Sequence, residues 1–199
     1  MTVVFDEPTD ATPLTPIERE GLKQHWITYR SDLNAAEQDN ILKGVAWARR
    51  KKNRKVPELL NEEFAKRLHK EMFSDVWTWA GTYRLSERNI GMAAPRIPEE
   101  IRVMFGDVQF WINHQTYQHD EIAVRLHHRL VAIHPFPNGN GRHSRLIADL
   151  LTEMLGHQPF SWGSGSLAST SELRARYIDA LRTADDGHEI GKLLAFART

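Results

Sequence analysis

Residues 133–145 read Ile133-His134-Pro135-Phe136-Pro137-Asn138-Gly139-Asn140-Gly141-Arg142-His143-Ser144-Arg145. Two prolines stop one helix, a tight turn follows, and a new helix begins. Upstream, Ile122, Leu126, Leu130 and Ile133 recur at helical spacing, with Asp120 placed as a cap. Downstream, Leu146, Ile147, Leu150, Leu151 and Met154 continue a second apolar stripe toward a stop near Gly156. A helix–turn–helix unit with a polar, glycine-bearing turn therefore sits at the centre of the chain.

The same pattern extends outward. Thr15-Pro16-Ile17-Glu18 predicts a short N-terminal helix that Gly21 ends. A second helix starts at Ser31, with Leu33, Ala36, Ile41, Val45 and Ala48 on one face. Asn61 caps a third, carrying Phe64, Leu68 and Met72. Trp77, Trp79 and Tyr83 follow as core aromatics. Residues 83–97 have no helical stripe and contain Asn89-Ile90-Gly91 and Pro95, which predicts a short hairpin or an irregular flap. Ile101, Met104, Phe105, Val108, Trp111 and Ile112 form a strong helical stripe. Ser169 and Glu172 suggest a capping box for a helix bearing Leu173, Tyr177 and Leu181, and Leu193, Leu194 and Phe196 mark a last one. The expected fold is all-α, a compact helical bundle with one small β-hairpin.

Composition narrows the class. The 199 residues carry 26 Lys+Arg, 26 Asp+Glu and no cysteine. A disulfide scaffold, a thiolate metal site and a cysteine nucleophile are excluded, and the zero net charge argues against a dedicated nucleic-acid binder. No apolar run approaches the roughly 20 residues of a membrane helix. The first residues show no basic region followed by an apolar core, so the expectation is a cytoplasmic chain without membrane association. Residues 49–55 hold six basic residues in seven, read as a solvated helix end or a docking patch for an acidic partner.

The central turn carries the chemistry. Glycines at 139 and 141 let backbone N–H groups converge without side-chain obstruction, and such a nest at a helix N-terminus binds phosphate. Asn140 adds an amide donor. Arg142 and Arg145, three apart, share a helix face and can clamp a polyphosphate as two forks. His134 just before the nest can take a proton from a hydroxyl beside the bound phosphate. Base, cradle and clamp within twelve residues point to phosphoryl or nucleotidyl transfer from a nucleoside triphosphate. A metal-phosphohydrolase reading from His114, His119, Asp120, His127 and His128 fails on spacing, and no H-E-x-x-H occurs.

This segment resembles the motif of the Fic family, H-x-F-x-(D/E)-G-N-G-R-x-x-R. His134, Phe136, Gly139, Asn140, Gly141, Arg142 and Arg145 match it. The run Trp79-Ala80-Gly81-Thr82-Tyr83-Arg84 resembles the family's segment before its flap, and Tyr177 to Phe196 resembles its closing helices, so the likeness covers the chain from about Asn61 onward. It implies an N-terminal arm and helices over 1–60 and a catalytic core over 61–199, forming one compact domain. It implies protein adenylylation, with AMP passing from ATP to a Ser, Thr or Tyr hydroxyl of a target protein. By the same resemblance His134 is the general base, Phe136 anchors the loop, and Gly139, Asn140 and Gly141 hold the phosphates, with Asn140 on the α-phosphate. Arg142 and Arg145 hold the distal phosphates. Tyr177 is either on the adenine side or a core aromatic. Asn89, Ile90 and Gly91 align the target by strand addition.

One position departs. The family's Asp or Glu, which ligates Mg²⁺, is Asn138 here, a neutral ligand that a hard cation disfavours. The resemblance therefore implies weak Mg²⁺ binding, or transfer of a different phosphate-containing group. Relatives that transfer phosphate or phosphocholine depart at the Gly139 or Gly141 positions, which are intact. Pro16 to Gly21 resembles the family's inhibitory motif (S/T)-x-x-x-E-(G/N), which would pair Glu20 with Arg145. A non-catalytic, nucleotide-binding regulator of Fic type is the alternative function. The oligomeric state is open at this level.

Overall fold

The structure, a computed structural model, describes residues 19–87, 90–166, 168–187 and 189–199. Eight α-helices follow in order among these residues: α1 (Arg30–Arg50), α2 (Val56–Leu59), α3 (Glu62–Phe73), α4 (Ile97–His114), α5 (His119–Ile133), α6 (Asn140–Met154), α7 (Thr170–Gly187) and α8 (Gly191–Arg198), with a 3-10 turn, Ala94–Arg96, leading into α4. The expected N-terminal helix from Thr15 lies largely outside the described residues, and 19–21 form a turn.

The central pair is α5 and α6, packed on each other on either side of the 134–139 turn, with α4 and α8 against α5 and α3 against α6. Their facing stripes are fully buried, including Ile122, Leu126, Leu130, Leu146, Ile147 and Leu151. Helix α1 lies on α3 through Leu33, Ile41 and Ala48. Asn61 caps α3, accepting from the Glu63 N–H at 2.8 Å. Ser169 and Glu172 form the expected reciprocal box at the start of α7. Helix α5 begins two residues earlier than expected, with Gln118 at its N-cap, so Asp120 lies in its first turn instead of capping it. Of the basic run, Arg49 pairs with Glu153, Lys51 with Glu58, and Arg54 lies over the Phe64 ring and donates to the Ala48 carbonyl.

The hairpin is not seen. Among the described residues there is no strand, and an isolated bridge joins Leu22 to Trp77. The physical reason lies in the legs of the flap, 84–87 and 90–93. Their backbone groups pair with the α5–α6 turn and with the Arg84 side chain instead of with each other: the Arg84 N–H donates to Pro135 O at 2.9 Å and the Met92 N–H to Ile133 O at 3.3 Å.

Burial sets a pH dependence for the whole fold. Desolvation holds His69 and His127 well below the usual imidazole value, and His143 at about 4. Below about pH 6.5 the unfolded chain binds protons at these sites that the folded chain refuses. Stability then falls with pH by up to about 1.4 kcal/mol per pH unit for each group. Asp149, pushed up to about 6 by burial beside the Trp162 indole, acts in the opposite direction, because its folded form takes up a proton first. Three groups against one leave a net loss. The melting temperature should therefore drop between about pH 7 and about pH 5; a flat or rising profile in calorimetry would show that these imidazoles are not buried as neutral groups.

Candidate active site

His134 terminates α5. It adopts the left-handed conformation, with φ of 52°, and its N–H donates to Leu130 O at 3.1 Å. A non-glycine residue in this region is costly and needs support from its surroundings. The chain then turns through Pro135, Phe136 and Pro137 to Gly139, whose φ is 76°. A Cβ at 139 would lie 2.5 Å from the Phe73 ring, so only glycine fits. Helix α6 starts at once, and its first residues, Asn140 and Gly141, line the same space as His134.

The turn is braced from within. Asn140 accepts from the Phe136 N–H at 2.9 Å and donates to Phe136 O at 2.8 Å. Its amide is thus engaged by the loop it was expected to serve, with one Nδ2 hydrogen left for a ligand. Phe136 is fully buried, stacked on His69 at 3.7 Å and edge-on to His143. His69 accepts from the Gly81 N–H at 3.0 Å, which fixes its tautomer: Nε2 carries the hydrogen and donates to Asn138 O at 3.1 Å. Sequence reading missed this residue.

Both clamp arginines have partners within the protein. Arg142 lies over the Phe73 ring and pairs with Glu37 of α1 at 2.7 Å. Glu37 is buried, and its other oxygen accepts from the Trp77 indole at 2.6 Å. Arg145 is buried with its guanidinium 5.6 Å from the Tyr177 ring centroid, and the Tyr177 hydroxyl meets His127 at 3.1 Å. Glu20 is exposed. It lines a neighbouring cleft with Gly21, Trp77, Thr78 and Trp79.

His134, Asn138, Gly139, Asn140, Gly141, Arg142, Arg145 and Tyr177 thus share one cleft of about 370 Å³, within the usual size of a small-molecule site. Glu37, Arg174, Ile178 and Leu181 are among the other residues of its walls. Ile90 reaches its rim and is mostly exposed; Gly91 packs against His134; Asn89 lies outside the described residues. The histidines of the metal reading are dispersed: His127 faces Tyr177, His128 pairs with Asp185, and His119 meets His157.

With this geometry in place, comparison with known proteins decides the family. Residues 59–152 match the model of the Fic/DOC family. These residues form a Fic domain. The Fic domain resembles protein adenylyltransferase fic-1 of Caenorhabditis elegans, 31% identical over 122 residues, which are 60% of this chain and 22% of the relative. It resembles protein adenylyltransferase Fic of Aedes aegypti at 29% identity over 110 residues, 54% of this chain and 21% of the relative. The chain therefore spans about a fifth of the length of these curated relatives. Among solved structures, the fold matches the BepC protein of Bartonella tribocorum, a VirB-translocated effector with bound AMPPNP. The TM-score is 0.66 at 16% identity, covering 92% of this chain and 97% of that one.

The donors around the Fic turn do not fit a resident Mg²⁺. Asn138 Oδ1 accepts from the Gly139 N–H at 2.7 Å. Glu37, the carboxylate among the described residues of the cleft wall, is held by Arg142 and Trp77. Among the described residues of the cleft, no carboxylate oxygen is left for a hard cation.

Proposed function

We propose that this Fic domain transfers AMP from ATP to a hydroxyl side chain of a target protein in the cytoplasm. The observation that carries the reading is the placement of His134 at the mouth of a cleft whose floor is the N-terminus of α6 and whose wall holds both Arg142 and Arg145. The α6 amides bind the phosphates. The target oxygen attacks the α-phosphorus and gives its proton to the His134 imidazole. The leaving pyrophosphate is stabilised by the two guanidiniums. Asn140 offers its remaining amide hydrogen to the α-phosphate. The apolar side of the cleft, with Tyr177, Ile178 and Leu181, receives the base. The legs around Ile90 and Gly91 present the target segment. Any Mg²⁺ arrives with the triphosphate, and no step above depends on it.

Parallel assays with ATP labelled at the α or the γ position test this. Label retained from α identifies nucleotidyl transfer. Label from γ identifies a kinase and overturns the proposal.

A second reading rests on the Glu37–Arg142 pair. It leaves one clamp arginine engaged, as in a restrained enzyme or a nucleotide-binding regulator. Inhibition by Glu20 through Arg145 is the sequence-based version of the same restraint, and it requires Glu20 to leave its neighbouring cleft. Nucleotide binding with no transfer, in wild type and in both Glu20→Gly and Glu37→Gln, would favour the regulator.

Asn138→Asp should raise transfer and make it more dependent on Mg²⁺. The change is nearly isosteric, and a carboxylate can keep the Gly139 N–H bond while offering an anionic oxygen. A magnesium titration of transfer rate checks this; an unchanged dependence would show that the metal is held by the phosphates alone.

A further inference from the structure

Arg84 is a buried charge outside the clamp whose three guanidinium nitrogens all donate to backbone carbonyls. Its side chain is 1% exposed. Nε donates to His134 O at 2.7 Å, Nη1 donates to Ser86 O at 3.0 Å, and Nη2 donates to Met92 O and, at 3.4 Å, to Ile133 O. Its own N–H donates to Pro135 O. One planar fork thus gathers a carbonyl from each flap leg, one from the last residue of α5 and one from the base itself. Glu87 approaches the guanidinium at 3.8 Å and also accepts from the Ala94 N–H at 3.0 Å, which closes the base of the flap. Gly91 completes the junction: a Cβ there would lie 2.7 Å from His134 Cβ and 2.8 Å from Arg84 Nη2.

We infer that Arg84 is a positioning residue that makes the flap legs and the His134 turn one mechanical unit. This rests on the adenylyl-transfer reading above and adds to it. The left-handed backbone at His134 is unfavourable by itself. The charge-assisted bond from Arg84 Nε to the His134 carbonyl holds that conformation and so orients the imidazole. The other arms of the fork hold Ser86 and Met92, the legs that present the target. The distance between attacking hydroxyl and base is thereby set by a single side chain that touches neither reactant. Lysine cannot replace it, because an ammonium on a flexible stem lacks the rigid, three-nitrogen fork that reaches both legs and the base.

The test compares the whole chain with Arg84→Lys and with Arg84→Ala, the latter with and without added guanidinium. Misplacing reacting groups by about 1 Å costs about 100-fold in rate. Arg84→Lys should therefore lose about 100-fold in kcat for transfer, while its Kd for a non-hydrolysable ATP analogue stays within about threefold of wild type, because the α6 cradle is intact. Amide exchange should speed up at Met92 and stay unchanged within α6. Guanidinium at low millimolar concentration should restore part of the transfer by Arg84→Ala. Wild-type kcat in Arg84→Lys would overturn the inference. So would loss of nucleotide binding together with faster exchange throughout α6, which would make Arg84 a general support of the fold. If the wild-type chain transfers no label from α-labelled ATP, the functional reading fails. The exchange pattern at Met92 against α6 then decides the coupling alone: local loosening supports it, and no change overturns it.

Discussion

His134→Ala loses transfer by about 10²–10⁴-fold, the usual contribution of a positioned general base. The effect is confined to the chemical step. His134 lies at the end of α5, half-buried, and its place in the fold is held by backbone bonds: its N–H to Leu130 O and its carbonyl to Arg84. Alanine keeps both. The α6 amides, Arg142 and Arg145 remain in the variant, so binding of an ATP analogue should change by less than a few fold. Single-turnover transfer from α-labelled ATP measures the first effect and calorimetric titration the second. A variant that transfers at near wild-type rate would remove His134 from the mechanism and leave the cleft without a base.

Glu37→Gln gives the second large change, in the opposite direction. The pair with Arg142 holds that guanidinium against α1, where a γ- or β-phosphate of ATP must compete for it. The amide keeps the shape and the bond from the Trp77 indole but drops the charge. Arg142 is then available to the triphosphate, and in-line alignment should improve transfer by about tenfold to about 100-fold. A positive charge left without its carboxylate also destabilises the empty cleft, since breaking a largely buried pair is costly. Nucleotide should therefore raise the melting temperature of Glu37→Gln more than that of wild type. Glu20→Gly separates the two glutamates. It leaves the Glu37–Arg142 pair in place, so a gain in transfer by this variant identifies Glu20 as a restraint acting through Arg145. Equal transfer by wild type and Glu20→Gly leaves Glu20 as a solvated turn residue. Equal transfer by wild type and Glu37→Gln removes the restraint from Glu37.

Local chemistry was the part of this structure legible from sequence. The Asn61 cap, the Ser169/Glu172 box and the α5–α6 turn all involve residues within a few positions of each other, and each carries its own signal. The cleft residues of the turn were legible for the same reason. Contacts made across the fold were not. Glu37 stands in the buried face formed by Leu33 and Ile41, and His69 stands in the face formed by Ala65, Met72 and Phe73. A polar group set into an apolar stripe is a sequence signal, but it names no partner. Arg84 carried no such signal, because its partners are backbone carbonyls brought together by the fold. The same feature explains the missing hairpin: alternation and turn residues predict that two legs pair, and they cannot reveal a side chain that captures their carbonyls.

The Trp77 indole gives the domain an optical signal of its own. Its N–H is bonded to Glu37, and its ring stacks on Trp79 with centroids 4.9 Å apart. When phosphate draws Arg142 away, the carboxylate beside this indole loses its counter-charge, and the excited-state dipole of Trp77 meets a changed field. Intrinsic fluorescence near 77 and 79 should therefore shift as nucleotide enters, with Trp77→Phe removing the change. The occupancy of the cleft could then be followed in real time, in the unlabelled protein, by light alone.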